Sequence, residues 1–121
     1  MRPLLLALAL VALSAPAFAA DADKGKTLFQ RQCAVCHQVA QPRNGVGPHL
    51  QGVVGRAAAS VQGFGYSPAL KGAGIQWSPE ELEAYLANPT GKVPGTRMAV
   101  RVASESDRAD IVAFLQGSAS P

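Results

Sequence analysis

The chain holds 121 residues, 48% hydrophobic but only 6% aromatic, with 11 Lys and Arg against 8 Asp and Glu for a formal charge of +3. That length accommodates one small domain rather than two. A positive charge so mild and scattered excludes a dedicated nucleic-acid surface.

The first residues, MRPLLLALALVALSAPAFAA, carry one arginine and then an uncharged run ending in Pro16 and the small-residue pattern Ala17, Phe18, Ala19. This reads as a secretory signal peptide over residues 1–19, cut after Ala19, leaving residues 20–121 as the mature domain. The competing reading is an uncleaved anchor. Its compact apolar run, Leu4 to Leu13, falls well short of the roughly 20 residues a spanning helix needs, so no stable membrane insertion is expected. Export implies a periplasmic location.

The first predicted helix runs from about Asp23 to Val35, with acidic residues at its start and Leu28 and Phe29 as apolar positions. The second is SPEELEAYLANP: Ser78 suits the N-cap, Pro79 the first helical position and Glu81 a capping-box partner, with Asn88 and Pro89 ending it. The third starts near Ser106 or Asp107 and carries Ile111, Val112, Phe114 and Leu115 before Gly117.

Between Gln38 and Trp77 the chain is rich in Gly, Pro and Ala without the alternation of a strand. A second irregular stretch, TGKVPGTRMAV, joins the second and third helices. Helices of about a dozen residues are marginal alone, and a long structureless middle argues against an ordinary compact domain. Something besides side chains must order it.

CAVCH contains both cysteines of the chain, Cys33 and Cys36, followed directly by His37. Three chemistries compete for it. A disulfide is permitted by export, but a redox Cys-x-x-Cys sits beside a βαβ pattern that is missing here. A zinc site with His37 and His49 fits poorly, because structural zinc ligands come in two separated pairs. Covalent haem attachment is the assigned meaning of Cys-x-x-Cys-His. Residues three apart on a helix tail face the same way, so both thiols reach one edge of a porphyrin and His37 comes beneath its iron. The large apolar surface of a haem also supplies the missing core.

For the opposite face, the mature chain offers one thioether, Met98, and one further imidazole, His49. Met98 lies in the Gly-Pro punctuated loop VPGTRM. A lone Met is ordinarily a core gap-filler, but beside CAVCH an exposed loop favours the ligand role. His49, in GVGPHL, reads as a surface residue.

With CAVCH, GPHLQGVVGR, GFGYSPAL, GIQWSPEELEAYLANP and PGTRM in family order, the chain closely resembles class I cytochrome c of the mitochondrial and bacterial short-chain type, from about Asp21 to Gln116. The resemblance implies an all-α cytochrome c fold, three main helices and irregular loops wrapped around one covalently attached haem c. By position, Cys33 and Cys36 match the thioether cysteines, His37 the proximal ligand and Met98 the distal one. Pro48 matches the proline whose carbonyl accepts the imidazole proton. Arg56, Tyr66 and Trp77 match residues that satisfy the haem propionates, and Tyr85 and Thr96 those near the methionine sulfur and propionate. Gly25, Phe29, Ile111 and Phe114 resemble the family's contact between first and last helices.

Some positions depart from the pattern. Leu70 stands where many members have asparagine, Val100 where an aromatic is usual, and Gln32, Thr90 and Gly91 occupy positions that are often lysine. Steering toward an acidic partner is therefore expected to be weak. The implied function is a monomeric one-electron carrier, not an enzyme, serving redox proteins such as an oxidase, a reductase complex or a periplasmic redox enzyme. The rival is a haem peroxidase or gas sensor with Met98 off the iron.

Overall fold

The computed structural model describes residues 9–12 and 19–118. The signal-peptide reading for residues 1–19 thus falls mostly outside the described residues. The described residues form five helices: α1 Ala22–Gln32, α2 Pro68–Lys71, α3 Pro79–Ala87, α4 Pro89–Lys92 and α5 Glu105–Gln116. Among the described residues no helix is long and apolar enough to cross a membrane. The only β-pairing there is an isolated bridge between Ala57 and Gln76.

Helix α1 starts where the Asp21 carboxylate accepts the N–H groups of Asp23 and Lys24, satisfying donors that have no intrahelical partner. It stops at Gln32 rather than running on to Val35. The Phe29 carbonyl receives the N–H groups of both Cys33 and Ala34, and Cys33 opens a new turn by accepting from Cys36 and His37 at 3.1 and 3.0 Å. CAVCH is therefore a separate turn, still with its cysteines three residues apart, and not a helix tail.

Ser78 caps α3 as expected, its Oγ accepting from Glu81 N at 3.2 Å. The capping box stays half-made. The Ser78 N–H goes to the Gln76 carbonyl, and the Glu81 carboxylate pairs with Lys92 of α4. Asn88 ends α3 and also caps α4, its Oδ1 accepting from Gly91 N at 3.2 Å, so Pro89 begins a turn as well as closing one. The Ser-Pro signature recurs at Ser67 and Pro68, where Ser67 Oγ caps α2. Helix α5 begins at Glu105, just ahead of the expected start, because Ser104 takes the capping position.

The terminal helices cross. Phe29 and Phe114 stack tilted with centroids 5.4 Å apart, and Gly25 lies so close to Asp110 that a Cβ would overlap that residue's carbonyl. The Asp110 carboxylate, buried at this crossing, accepts the Asp21 N–H at 2.8 Å. Helix α3 packs on α5, with Leu82, Leu86, Ile111, Val112 and Leu115 in one buried cluster. Each such side chain contributes roughly 1.5–3 kcal/mol. The segment from Gln38 to Trp77 is held by scattered backbone bonds: Leu50 N to Gln38 O, Gly55 N to Trp77 O, and Trp77 N to Arg56 O.

Candidate functional site

Between the helical cluster and the irregular segment lies a cavity of about 570 Å³. All ten residues singled out from the sequence line it or bond to a residue that does. Cys33, Cys36, His37, Pro48, Arg56, Tyr66, Trp77, Tyr85, Thr96 and Met98 all belong to its walls, and Phe29, Leu50, Val53, Leu82 and Leu86 complete a mostly apolar lining. A second, open depression of about 730 Å³ between α2 and α4 contains none of these ten residues.

Both cysteines are free thiols in the structure, not a disulfide. Burial, and the neighbouring Cys36, push the Cys33 thiol up to about 11. Among the described residues no group of three or more His, Cys, Asp or Glu side chains converges as a metal site.

His37 Nδ1 lies 2.7 Å from the Pro48 carbonyl. A carbonyl can only accept, so Nδ1 carries the proton and Nε2 keeps a lone pair free for a metal. Burial holds the imidazole below its ordinary pKa, the Pro48 bond opposes this, and the Arg56 charge adds to the lowering. Gly47, which the sequence reading missed, presses directly on this ring, so that a Cβ there would overlap the imidazole. Its position just before Pro48 was the available signal. Phe64, also missed, lines the cavity and meets Tyr66 edge-on at 4.9 Å.

Arg56 donates from its two terminal nitrogens to the carbonyls of Gln51 and His49, at 3.2 and 3.0 Å. Its Nε is buried without a partner. An unpaired guanidinium N–H at the wall of an apolar cavity is costly unless an acceptor enters. Trp77 and Tyr85 pack at 5.0 Å, and the Tyr85 hydroxyl shares a 2.6 Å hydrogen bond with Thr96. Tyr66 accepts the Val61 N–H through its hydroxyl at 3.1 Å. His49 is half-buried rather than on the surface. It does not line the cavity, and its Nδ1 is enclosed without a partner.

An apolar cavity large enough for a sizeable flat ligand, with two thiols and an imidazole on one wall, a thioether in the lining and an unpaired cationic donor, suits a haem with its carboxylate side chains. The helical, loop-wrapped architecture is that of the c-type cytochromes. The cytochrome c family model matches residues 22–119. Cytochrome c2 of Rhodomicrobium vannielii is 48% identical over 105 residues, covering 84% of this chain and 83% of the relative. The cytochrome c-type cyt cy of Rhodobacter capsulatus is 46% identical over 96 residues, covering 78% of this chain, which spans about half (48%) of that relative's length. The solved structure of cytochrome cH from Methylobacterium extorquens superposes with a TM-score of 0.76 at 39% identity, covering 81% of this chain and 99% of that one.

The chain belongs to the cytochrome c family and, within it, to the class I c-type cytochromes. Its cofactor is covalently attached haem c, and it is an electron-transfer protein rather than an enzyme.

Proposed function

We propose that residues 20–121 form an exported, periplasmic one-electron carrier in which Cys33 and Cys36 would hold the haem through thioethers and His37 and Met98 would ligate its iron. One observation carries this reading. Residues distant in sequence, Cys33, Cys36 and His37 at one end and Met98 at the other, line a single cavity of about 570 Å³. When bound, the haem iron supplies the one-electron chemistry, and a histidine and methionine pair favours the reduced state and a high potential.

The protein's own residues supply the rest. The Pro48 carbonyl fixes the His37 ring and its tautomer and raises the basicity of Nε2. Phe29, Leu50, Val53, Leu82 and Leu86 keep water from the cavity. Arg56 offers its unpaired N–H to a haem carboxylate, with Tyr66 and Trp77 alongside. The bond between Tyr85 and Thr96 satisfies both hydroxyls beside the Met98 loop. The carrier then works between redox proteins such as an oxidase, a reductase complex or a periplasmic redox enzyme.

The first test is the visible spectrum of the oxidised protein, where a weak far-red charge-transfer band reports a methionine sulfur on ferric iron. Met98→Ala is expected to abolish the band, lower the potential and open the iron to carbon monoxide. A variant that keeps the parent's potential and ligand exclusion removes Met98 from the assignment and brings the sensor or peroxidase rival forward. Mass spectrometry of the native polypeptide tests export: a chain beginning at Ala20 supports it, and one beginning at Met1 overturns it.

A further inference from the structure

The sequence holds two asparagines, Asn44 and Asn88. Asn88 precedes Pro89, whose nitrogen has no proton to lose. Asn44 precedes Gly45, and no Asp in the chain precedes a glycine. In an Asn-Gly pair the side-chain amide is readily lost, because glycine has no Cβ to hinder attack by its own backbone nitrogen. Asparagine counts among the thermolabile residues for this reason. The Gly45 nitrogen gives up its proton to a base and bonds to the Asn44 Cγ, the Cγ–Nδ2 bond breaks, and ammonia leaves. Water then opens the cyclic imide at either of its carbonyls. The product is aspartate or isoaspartate, with one water consumed and one ammonia released.

In the folded protein both reacting groups are engaged elsewhere. Asn44 Oδ1 accepts the His49 N–H at 3.0 Å, and Nδ2 donates to the Gln62 carbonyl at 3.3 Å. These partners fix which end of the amide points where, since an N–H only donates and a carbonyl only accepts. The Gly45 N–H is given to the Gly47 carbonyl at 3.0 Å. Asn44 is half-buried and Gly45 is exposed, so base and water reach the site once these bonds open. Local opening of this kind needs less free energy than global unfolding.

The same amide joins two walls of the haem cavity. His49 follows Pro48, whose carbonyl orients His37, and Gln62 stands two residues before Phe64, which lines the cavity. A carboxylate at position 44 still accepts from His49, but it has no N–H for the Gln62 carbonyl and sets two acceptors face to face. Isoaspartate goes further. It adds a methylene to the main chain ahead of Gly47, where not even a Cβ fits against the His37 ring. We propose that Asn44 is a site of spontaneous deamidation, guarded in the folded protein by its bridge to His49 and Gln62, and that conversion breaks this bridge irreversibly. The chain at risk is the one not yet folded around its haem.

The test ages the haem-loaded protein in mildly alkaline buffer, folded in one arm and unfolded by guanidinium chloride in the other. Peptide mass spectrometry locates the lost amide, and an isoaspartyl methyltransferase assay measures the isoaspartate. Asn44 is expected to convert ahead of every other amide in the unfolded arm, and about tenfold or more slowly in the folded arm, the effect of holding two or three ordinary hydrogen bonds. The Cβ of Gly45→Ala meets only the Cys36 carbonyl at 3.5 Å, an ordinary contact. This variant is expected to keep the parent's visible spectrum and to convert several-fold more slowly when unfolded. Asn44→Asp carries the direct product, and its unfolding constant is expected to rise about fivefold, the weight of one lost hydrogen bond. Equal rates in the two arms overturn the guard. Earlier amide loss at another residue, or an unchanged rate in Gly45→Ala, overturns the site. An Asn44→Asp protein as stable as the parent overturns the bridge.

Discussion

At the crossing of α1 and α5, Phe29 and Phe114 meet with centroids 5.4 Å apart, and Gly25 admits the Asp110 backbone into contact. On the other side of the molecule the segment from Gln38 to Trp77 holds one short helix and a single isolated bridge, and turns Leu50, Val53, Phe64 and Tyr66 toward a cavity of about 570 Å³. The first region completes its packing with protein atoms. The second turns much of its apolar surface toward the cavity instead. A chain this poor in aromatics tolerates its long irregular middle because that middle packs toward the haem cavity and needs no sheet or long helix of its own.

The comparison breaks most visibly if the cofactor is withheld. A Cys33→Ala, Cys36→Ala chain made without haem is expected to lose the native thermal transition and most helical signal in far-ultraviolet circular dichroism. Its helices are short enough to be marginal without tertiary packing. A native-like helical spectrum would show that the crossing stands without the cavity side.

Gly25→Ala probes the other region alone. The added Cβ overlaps the Asp110 carbonyl, and overpacking of this kind costs about 1–3 kcal/mol, against which the better helix propensity of alanine returns about 1 kcal/mol. Denaturant unfolding should show a net loss, with visible spectrum and potential unchanged. A shifted potential would mean that the two regions are coupled.

The smallest effect lies where the regions meet, at Tyr85. Burial raises its pKa above the ordinary value of 10.0, and the Thr96 hydrogen bond partly offsets this. Above pH 10 the unfolded chain therefore surrenders a proton that the folded protein keeps, so stability falls as pH rises from there toward the raised value. Tyr85→Phe should remove that part of the alkaline decline in urea midpoint, while costing about 1 kcal/mol at neutral pH through the lost hydrogen bond. An unchanged alkaline slope would contradict burial as the cause.

Much of this was legible in the chain itself. CAVCH announces its chemistry because thiol spacing and an adjacent imidazole are local facts, and Ser78 with Pro79 marks α3 because capping is satisfied within one turn. The same Ser-Pro signal at Ser67 and Pro68 went unread, since a helix of four residues leaves no periodicity to notice. The end of α1 was misplaced for a different reason. Neither Gly nor Pro stands near Cys33, and the helix stops where the Phe29 carbonyl takes two N–H groups and CAVCH turns toward Gly47 and Pro48. Glu81 was assigned to the capping box, yet its carboxylate answers Lys92, which only the turn at Asn88 brings near.

By itself, then, the sequence determined the helical class, the three main helices and the cofactor, because each depends on residues within a few positions of one another. Tertiary structure alone decided that Gly47 must lack a side chain to admit the imidazole, and that Arg56 would spend two donors on carbonyls and leave one unpaired at the cavity wall. These relations join residues far apart along the chain, and close approach between such residues is set by how the helices and loops pack.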